Sequence, residues 1–342
     1  GEVQFEELRA VEELSEELSN DGARMALSLF WSGGTSAGGN RGLDLLVEAA
    51  KFADQNGFQA LWLSQDGFSG SSVLAGCSVM AAAVAVLTRR IEIIGRVSFP
   101  LASSVRIAEE WSVVDNLSHG RAGVWYAGMV LAAEVPADAE IVQRLWRGET
   151  VDFTGVSDKA VPVKTLPRPV KARLPVWVFA RDDEGARVAG ELEAGLLIDL
   201  TMTPIENLSG LIQHYKQAFP ARNWSGSSRV VAVAPVYASE DETKCARAIS
   251  MARKLQCEEG RIILGTPDQC IAKIVELKAL GVDEIACRID FGLDHESILS
   301  GFAGLKRIAD WSRRVPSAAP ALDGVRERAR SRREMTRRRH RL

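Results

Sequence analysis

The stretch ALWLSQDGFSG at residues 60–70 runs from an apolar segment directly into Ser64, Gln65, Asp66 and Gly67. An apolar run that stops at hydroxyl, amide and carboxylate groups reads as a buried strand opening into a polar mouth. Asp66 can serve there as a general acid or base if burial raises its pKa, with Gln65 as a second polar candidate beside it. The competing reading is that Asp66 only caps the turn at Gly67. Histidine offers no clear substitute. His119 sits in the turn LSHGR ahead of a strand, His214 lies mid-helix, and His295 falls near a helix start.

The elements that must position such a mouth follow from periodicity. Short, continuously apolar segments at 25–31, 60–64, 91–99, 121–127, 175–180, 195–201, 229–237 and 284–291 read as strands covered on both faces. Helical patterns at 41–56, 71–88, 104–117, 138–147, 183–194, 204–219, 240–256, 267–280 and 295–313 alternate with them. Gly57, Gly195 and Gly281 suit helix C-caps. Ser103, Ser104, Thr203 before Pro204 and Thr266 before Pro267 suit helix starts. Eight strand–helix units predict a (β/α)8 barrel. A doubly wound sheet is the alternative, but the Gly-rich turn WSGGTSAGGN lacks the GxGxxG spacing of a dinucleotide site. Prolines exclude a central helix or strand within 151–174, which is expected to be an extended loop over the barrel rim.

Composition limits the remaining classes. The 342 residues are 46% hydrophobic and 25% charged, ordinary for a soluble globular chain. No apolar run of about 18 residues suggests a membrane span, and the acidic start does not read as a secretory signal. Five scattered cysteines without a CxxC pair fit reduced thiols in a cytoplasmic protein. Four histidines make a multi-histidine metal site a poor expectation. The net charge of −3 conceals an acidic segment over 1–24 and an Arg-rich one over 324–342. That tail has no interleaved aromatics for base stacking, so nucleic acid is not the expected partner. The helix over 71–88 is apolar nearly all round, so it is either deeply buried or at a subunit interface; the interface is the preferred reading, and a homodimer is expected.

SVRIAEEWSVVDNLSHGRAGVWYA, starting at residue 104, resembles the bacterial luciferase-like flavin monooxygenases, closest to a subgroup associated with natural-product assembly lines. LLVEAAKFADQNGFQALW (45–62), AEIVQRLWRGETVDFTG (139–155), VKTLPRPVKARLPVWV (163–178) and GTPDQCIAKIVELKALGVDEIACRIDFG (265–292) carry the same likeness. The resemblance implies a luciferase-like (β/α)8 TIM-type barrel over 25–315, with a shortened loop after strand four. It also implies a dimer and oxidation of a substrate by reduced FMN and O2. The ends, an acidic helical appendage over 1–24 and the Arg-rich 316–342, resemble linkers between polyketide or peptide synthase modules. Those neighbouring modules, and a small-molecule or carrier-bound substrate, are the expected partners. Gly1 in place of Met suggests an excised chain.

Active groups of such barrels sit at the C-terminal strand ends. That selects Asp66, Gln65 and Tyr126 as catalytic candidates. For the cofactor, the resemblance points to Ser98, Trp125, Ala180 and Arg181; for a substrate pocket, Phe30, Trp31, Phe99 and Met202 remain. Three departures from the family are evident. Relatives carry a Glu-Arg-His type triplet where Ser64-Gln65-Asp66 stands. The loop expected to hold the FMN phosphate reads ARDDEGA, whose acids oppose Arg181. A Gly-Trp-His segment after strand four is missing. The alternative function is therefore a barrel that has lost flavin chemistry, needs no cofactor, and acts as a binding module, partner subunit or non-redox catalyst of cyclisation or dehydration.

Overall fold

The computed structural model describes residues 25–33, 40–64, 76–97, 103–126, 135–154, 159–219, 229–254 and 261–314. The acidic helical appendage predicted over 1–24, residues 34–39 of the Gly-rich turn, Gln65, Asp66, Ser98, Phe99, the loop after Tyr126 and the Arg-rich tail lie outside these residues. The chain divides into two compact units, residues 25–310 and residues 1–24 with 311–342.

Its elements run β1 (Ala26–Trp31), α1 (Asn40–Gln55), β2 (Ala60–Leu63), α2 (Cys77–Leu87), β3 (Glu92–Val97), α3 (Ser104–Ser118), β4 (Ala122–Tyr126) and α4 (Val135–Trp146). Then come β5 (Val151–Thr154), β6 (Ala160–Val163), β7 (Val176–Phe179), α5 (Asp183–Glu191), β8 (Gly195–Asp199) and α6 (Ile205–Ala218). The series ends with β9 (Val230–Ala238), α7 (Glu242–Lys254), β10 (Ile263–Gly265), α8 (Pro267–Ala279), β11 (Glu284–Arg288) and α9 (His295–Arg314).

Eight parallel strands close into a barrel in the ring order β1, β2, β3, β4, β7, β8, β9, β11 and back to β1. Each falls inside its predicted segment except β9, which runs one residue further. The short β10 adds outside the ring, pairing with the far end of β9; three residues ahead of a proline give too little pattern to predict it. Within 151–174, predicted as extended loop, Val151–Thr154 (β5) and Ala160–Val163 (β6) pair as antiparallel strands. Pro162 is tolerated because β6 is an edge strand. The segment that follows is anchored to the helices. Asp115 Oδ2 accepts from Val170 N and Lys171 N at 2.7 and 2.9 Å, and Trp146 Nε1 donates to Lys171 O at 2.9 Å.

Two glycines explain how the barrel holds its tryptophans. A Cβ at Gly195 would lie 2.1 Å from Trp177 Cδ1, and one at Gly123 would lie 2.8 Å from Trp177 Cζ3. Gly195 is thus a space-maker inside β8, not the helix cap the sequence predicts; Glu193 takes the left-handed position there, at φ 52°. Gly57 and Gly281 do have positive φ, at 76° and 100°. At helix starts, Ser103 caps α3 and Thr266 forms a capping box with Gln269 on α8. Pro204 rather than Thr203 occupies the N-cap of α6.

The barrel interior is layered. At the N-terminal end, Glu284 accepts from Ser28 Oγ at 2.5 Å and Trp62 Nε1 at 3.0 Å. Arg229 pairs with Glu284 at 3.2 Å and with Glu92 at 2.6 Å, its guanidinium over the Trp177 ring. Above this ionic layer pack Trp62, Ile94, Trp177, Leu197, Val231 and Ala286. The C-terminal end is lined by the aromatic rings described next.

Candidate functional site

Successive strand residues face opposite sides of the barrel wall, and this decides which predicted residues reach the mouth. Phe30 and Trp125 belong to the interior cluster, with Phe179 packed against it. Their rings form one aromatic floor: Phe30 to Trp125 spans 6.2 Å between centroids, and Trp125 to Phe179 spans 6.3 Å. Trp125 Nε1 is fixed by Leu63 O at 3.1 Å.

Trp31 and Tyr126, one residue further along the same strands, face the outer layer of helices. Trp31 is 1% exposed and sits behind β1 instead of in a substrate pocket. Tyr126 donates its hydroxyl to Asp138 Oδ2 of α4 at 2.9 Å, and Ser104 Oγ of α3 donates to Asp138 Oδ1 at 2.5 Å. Burial pushes the Asp138 carboxyl up, against the two hydroxyls that favour its charged form. Burial also raises the Tyr126 phenol well above its ordinary value, with the Asp138 charge adding to it. The placement of Tyr126 is therefore structural: it ties the end of β4 to the first turns of α3 and α4.

The other predicted positions separate in the same way. Ala180 is fully buried, in contact distance of the first turn of α5 where a Gly185 Cβ would meet it at 3.2 Å. Arg181 is exposed. Asp182 caps α5, accepting from Gly185 N at 2.9 Å, and Asp183 and Glu184 fill its first turn. A helix terminus already satisfied by one carboxylate and flanked by two more is a poor anion site. Met202 is 57% exposed beyond β8. The described histidines lie elsewhere: His119 caps α3 at the N-terminal end of β4, His214 meets Asp183 at 2.9 Å, and His295 meets Glu48 at 2.9 Å.

Four charged residues at the mouth were not selected from the sequence. Arg96 of β3 holds its guanidinium 5.7 Å from the Trp125 ring centroid, and Arg288 of β11 holds its own 5.2 Å from Phe30. Arg288 Nη2 meets Asp199 Oδ2 at 2.5 Å. Asp199 Oδ1 accepts from Thr201 N and Thr201 Oγ1 at 2.9 and 2.7 Å. Asp290, 3% exposed, accepts from Ser32 N at 2.9 and 3.1 Å and so fixes the chain leaving β1. Burial raises its carboxyl, opposed by the Ser32 amide and the Arg288 charge. The available signal was a charge at the C-terminal end of an otherwise apolar run: Arg96 in IIGRV, Asp199 in GLLID, Arg288 in IACR. Charges at such positions are costly unless they have work to do.

The mouth suits a planar, electron-rich ligand. It offers stacking faces and guanidinium donors, and the Arg288 Nε is buried with no hydrogen-bond partner among the described residues. A flavin ring system fits that donor set; its phosphate finds no welcome at α5. A separate concavity of about 210 Å³ lies between α7 and α9, where Lys244 and Arg247 are balanced by Asp294 and Glu296.

A closed ring of eight parallel strands wrapped by helices defines a (β/α)8 TIM barrel. The model of the luciferase-like monooxygenases matches residues 24–125 and 139–258, and the chain belongs to this family. Among curated relatives, the oxygenase component of the flavin-dependent trigonelline monooxygenase of Acinetobacter baylyi is 22% identical over 199 residues, 51% of this chain and 53% of that protein. Limonene 1,2-monooxygenase of Rhodococcus erythropolis is 26% identical over 195 residues, 50% of this chain and 48% of that protein. The chain thus spans about half the length of these curated relatives. Monooxygenase RslO1 of Streptomyces bottropensis superposes with a TM-score of 0.72 at 18% identity, covering 83% of this chain and 98% of that one. The oxygenating constituent of 3,6-diketocamphane monooxygenase of Pseudomonas putida, in complex with FMN, gives 0.68 at 15% identity over 87% and 99% of the two chains.

Proposed function

We propose that this chain is a flavin-dependent monooxygenase of natural-product biosynthesis, oxidising a small-molecule or carrier-bound polyketide or peptide intermediate with reduced FMN and O2. The observation that carries this reading is the aromatic floor of Phe30, Trp125 and Phe179 flanked by Arg96 and Arg288. Reduced FMN, when bound, supplies the electrons that activate oxygen. The protein's own residues bind and exclude water: the three rings desolvate the floor, and Asp199 orients Arg288 to donate a hydrogen bond into it. Membership of the family supports the class, and the likeness to RslO1 supports the fold.

A second reading, a barrel that has given up flavin for binding or non-redox catalysis, draws on the acidic start of α5. Titrating the purified protein with oxidised and then chemically reduced FMN, followed by flavin fluorescence, separates the two. Micromolar binding of either form supports the monooxygenase; loss of both supports the second reading. Arg181→Ala tests the residual phosphate role of that side chain and is expected to change affinity less than twofold.

The same proposal extends to assembly. The outer face of α2 exposes Val79, Ala83, Val86 and Leu87, and neighbouring α3 exposes Val113 and Leu117. Such a contiguous apolar face on two helices calls for cover, and a second copy of the chain is the occupant proposed. Residues 1–24 and 316–342 are proposed to be linkers to neighbouring synthase modules, flanking a barrel domain over 25–315. Among the described residues no helix is long and apolar enough to cross a membrane.

A further inference from the structure

We infer that the strap from Lys159 to Pro175, on the N-terminal face of the barrel opposite the mouth, is a docking surface for an acidic amphipathic helix of a partner protein. The inference is independent of what the mouth binds. The strap's place follows from its ties. Asn116, near the end of α3, donates from Nδ2 to Arg168 O at 2.8 Å. Trp146, at the end of α4, donates to Lys171 O at 2.9 Å, and Arg173 Nη2 donates to Leu192 O, just past α5, at 3.3 Å. In a (β/α)8 ring the helices end beside the N-terminal ends of the strands.

The fold holds this strap largely by its main chain. Besides the ties above, Gln143 Nε2 donates to Leu174 O at 2.7 Å, and Asp115 accepts from the Val170 and Lys171 amides. The side chains left pointing outward are of two kinds. Lys159, Lys164, Arg168, Lys171 and Arg173 are five cations, with no acid anywhere between 159 and 175. Val161, Leu166 and Val170 are exposed aliphatics, at 46%, 67% and 59%. Nearby carboxylates do not quench the cations. Glu193 meets Arg173 at 3.6 Å, Glu149 is shared by Arg144 and Arg147, and Asp115 is fully buried. Asp152 of β5, opposite Pro162, is the exposed acid beside the strap. Lys159, Lys164, Arg168 and Lys171 form no ion pair among the described residues.

The chemistry selects the occupant. Cations interspersed with aliphatics complement a helix that carries acids beside an apolar stripe. Addition of a strand is blocked, because Pro162 and the flanking lysines guard the free edge of β6. Residues 159–175 contain no aromatic to stack on a base or to sit at a membrane interface. Four prolines and the main-chain ties set the strap's shape before binding, which lowers the cost of ordering it.

The test is fluorescence anisotropy of a labelled synthetic peptide titrated with the full chain. The peptide is about 18 residues long so that it can be helical, with leucines at helical spacing and glutamates and alanines between them. A peptide with lysine for each glutamate is the control. Micromolar binding of the acidic peptide is expected, weakened about tenfold as salt rises from about 0.05 to about 0.5 M, with none of the basic one. Lys164→Glu combined with Lys171→Glu should cost about tenfold or more in affinity, and Leu166→Ser about threefold, with unchanged circular dichroism and FMN binding. If the double variant does not fold, Lys164→Glu alone and Leu166→Ser decide. Absence of binding, equal binding of the basic peptide, or binding that survives these variants overturns the inference. So does association with phosphatidylserine–phosphatidylcholine vesicles in place of the peptide, which makes this face a membrane contact.

Discussion

Arg288 Nη2 of β11 and Asp199 Oδ2 of β8 meet at 2.5 Å, bridging over the intervening β9 at the barrel mouth. The Asp199 side chain is 6% exposed and that of Arg288 17%, so the pair is largely removed from water. Replacing one partner leaves the other charge poorly compensated. Asp199→Asn keeps the shape and the Thr201 contacts while removing the charge. It is expected to lower unfolding stability by about 1–3 kcal/mol in urea titration with an unchanged slope. A variant as stable as the wild type would show that the pair contributes nothing to the fold.

Tyr126→Phe takes one of two hydroxyl donors from the buried Asp138. The expected loss is about 1–3 kcal/mol, read as a lower midpoint of thermal or urea unfolding. Flavin affinity should stay within twofold of the wild type, because the ring faces the helices and not the mouth. A large fall in affinity with little change in stability would return Tyr126 to the list of functional residues.

Asp290 gives a pH signature of definite sign. Its folded carboxyl is raised by burial, against the Ser32 amide and the Arg288 charge. A group whose folded pKa exceeds its unfolded value contributes most below the unfolded pKa, and that contribution is lost as pH rises through the folded pKa. Wild-type stability relative to Asp290→Asn should therefore increase on going from neutral pH down toward the ordinary carboxylate range. Parallel urea titrations at several pH values measure the difference; a trend of opposite slope would mean that the acid is held charged.

Val86→Glu together with Leu87→Lys places charges on the exposed face of α2. Sedimentation velocity should show a dimer for the wild type and a monomer for the double variant, with unchanged far-UV circular dichroism. A wild type that sediments as a monomer at tens of micromolar disposes of the proposed interface.

The barrel was legible in the sequence because its strands are short, apolar and regularly spaced, and helix caps such as Thr266 announce themselves chemically. The same uniform apolarity hid the side of the wall each residue faces. With both faces of a strand covered, alternation disappears, so Phe30 and Trp31, or Trp125 and Tyr126, look equivalent as letters. Only the closed ring assigns Phe30 and Trp125 to the mouth and the other two to the helix layer. Gly195 shows the converse: a glycine after a helix reads as a cap, yet its role depends on Trp177, distant in sequence and adjacent in the ring. The arginines at the mouth were visible as misfits, but what they do depends on partners such as Asp199, 89 residues away.

The knot of Glu284, Arg229, Glu92, Ser28 and Trp62 has a consequence for traffic. With the packed layer of Trp62 and Trp177 above it, it plugs the N-terminal end of the ring, so any ligand resting on the Phe30 and Trp125 rings would be reached from the opposite end.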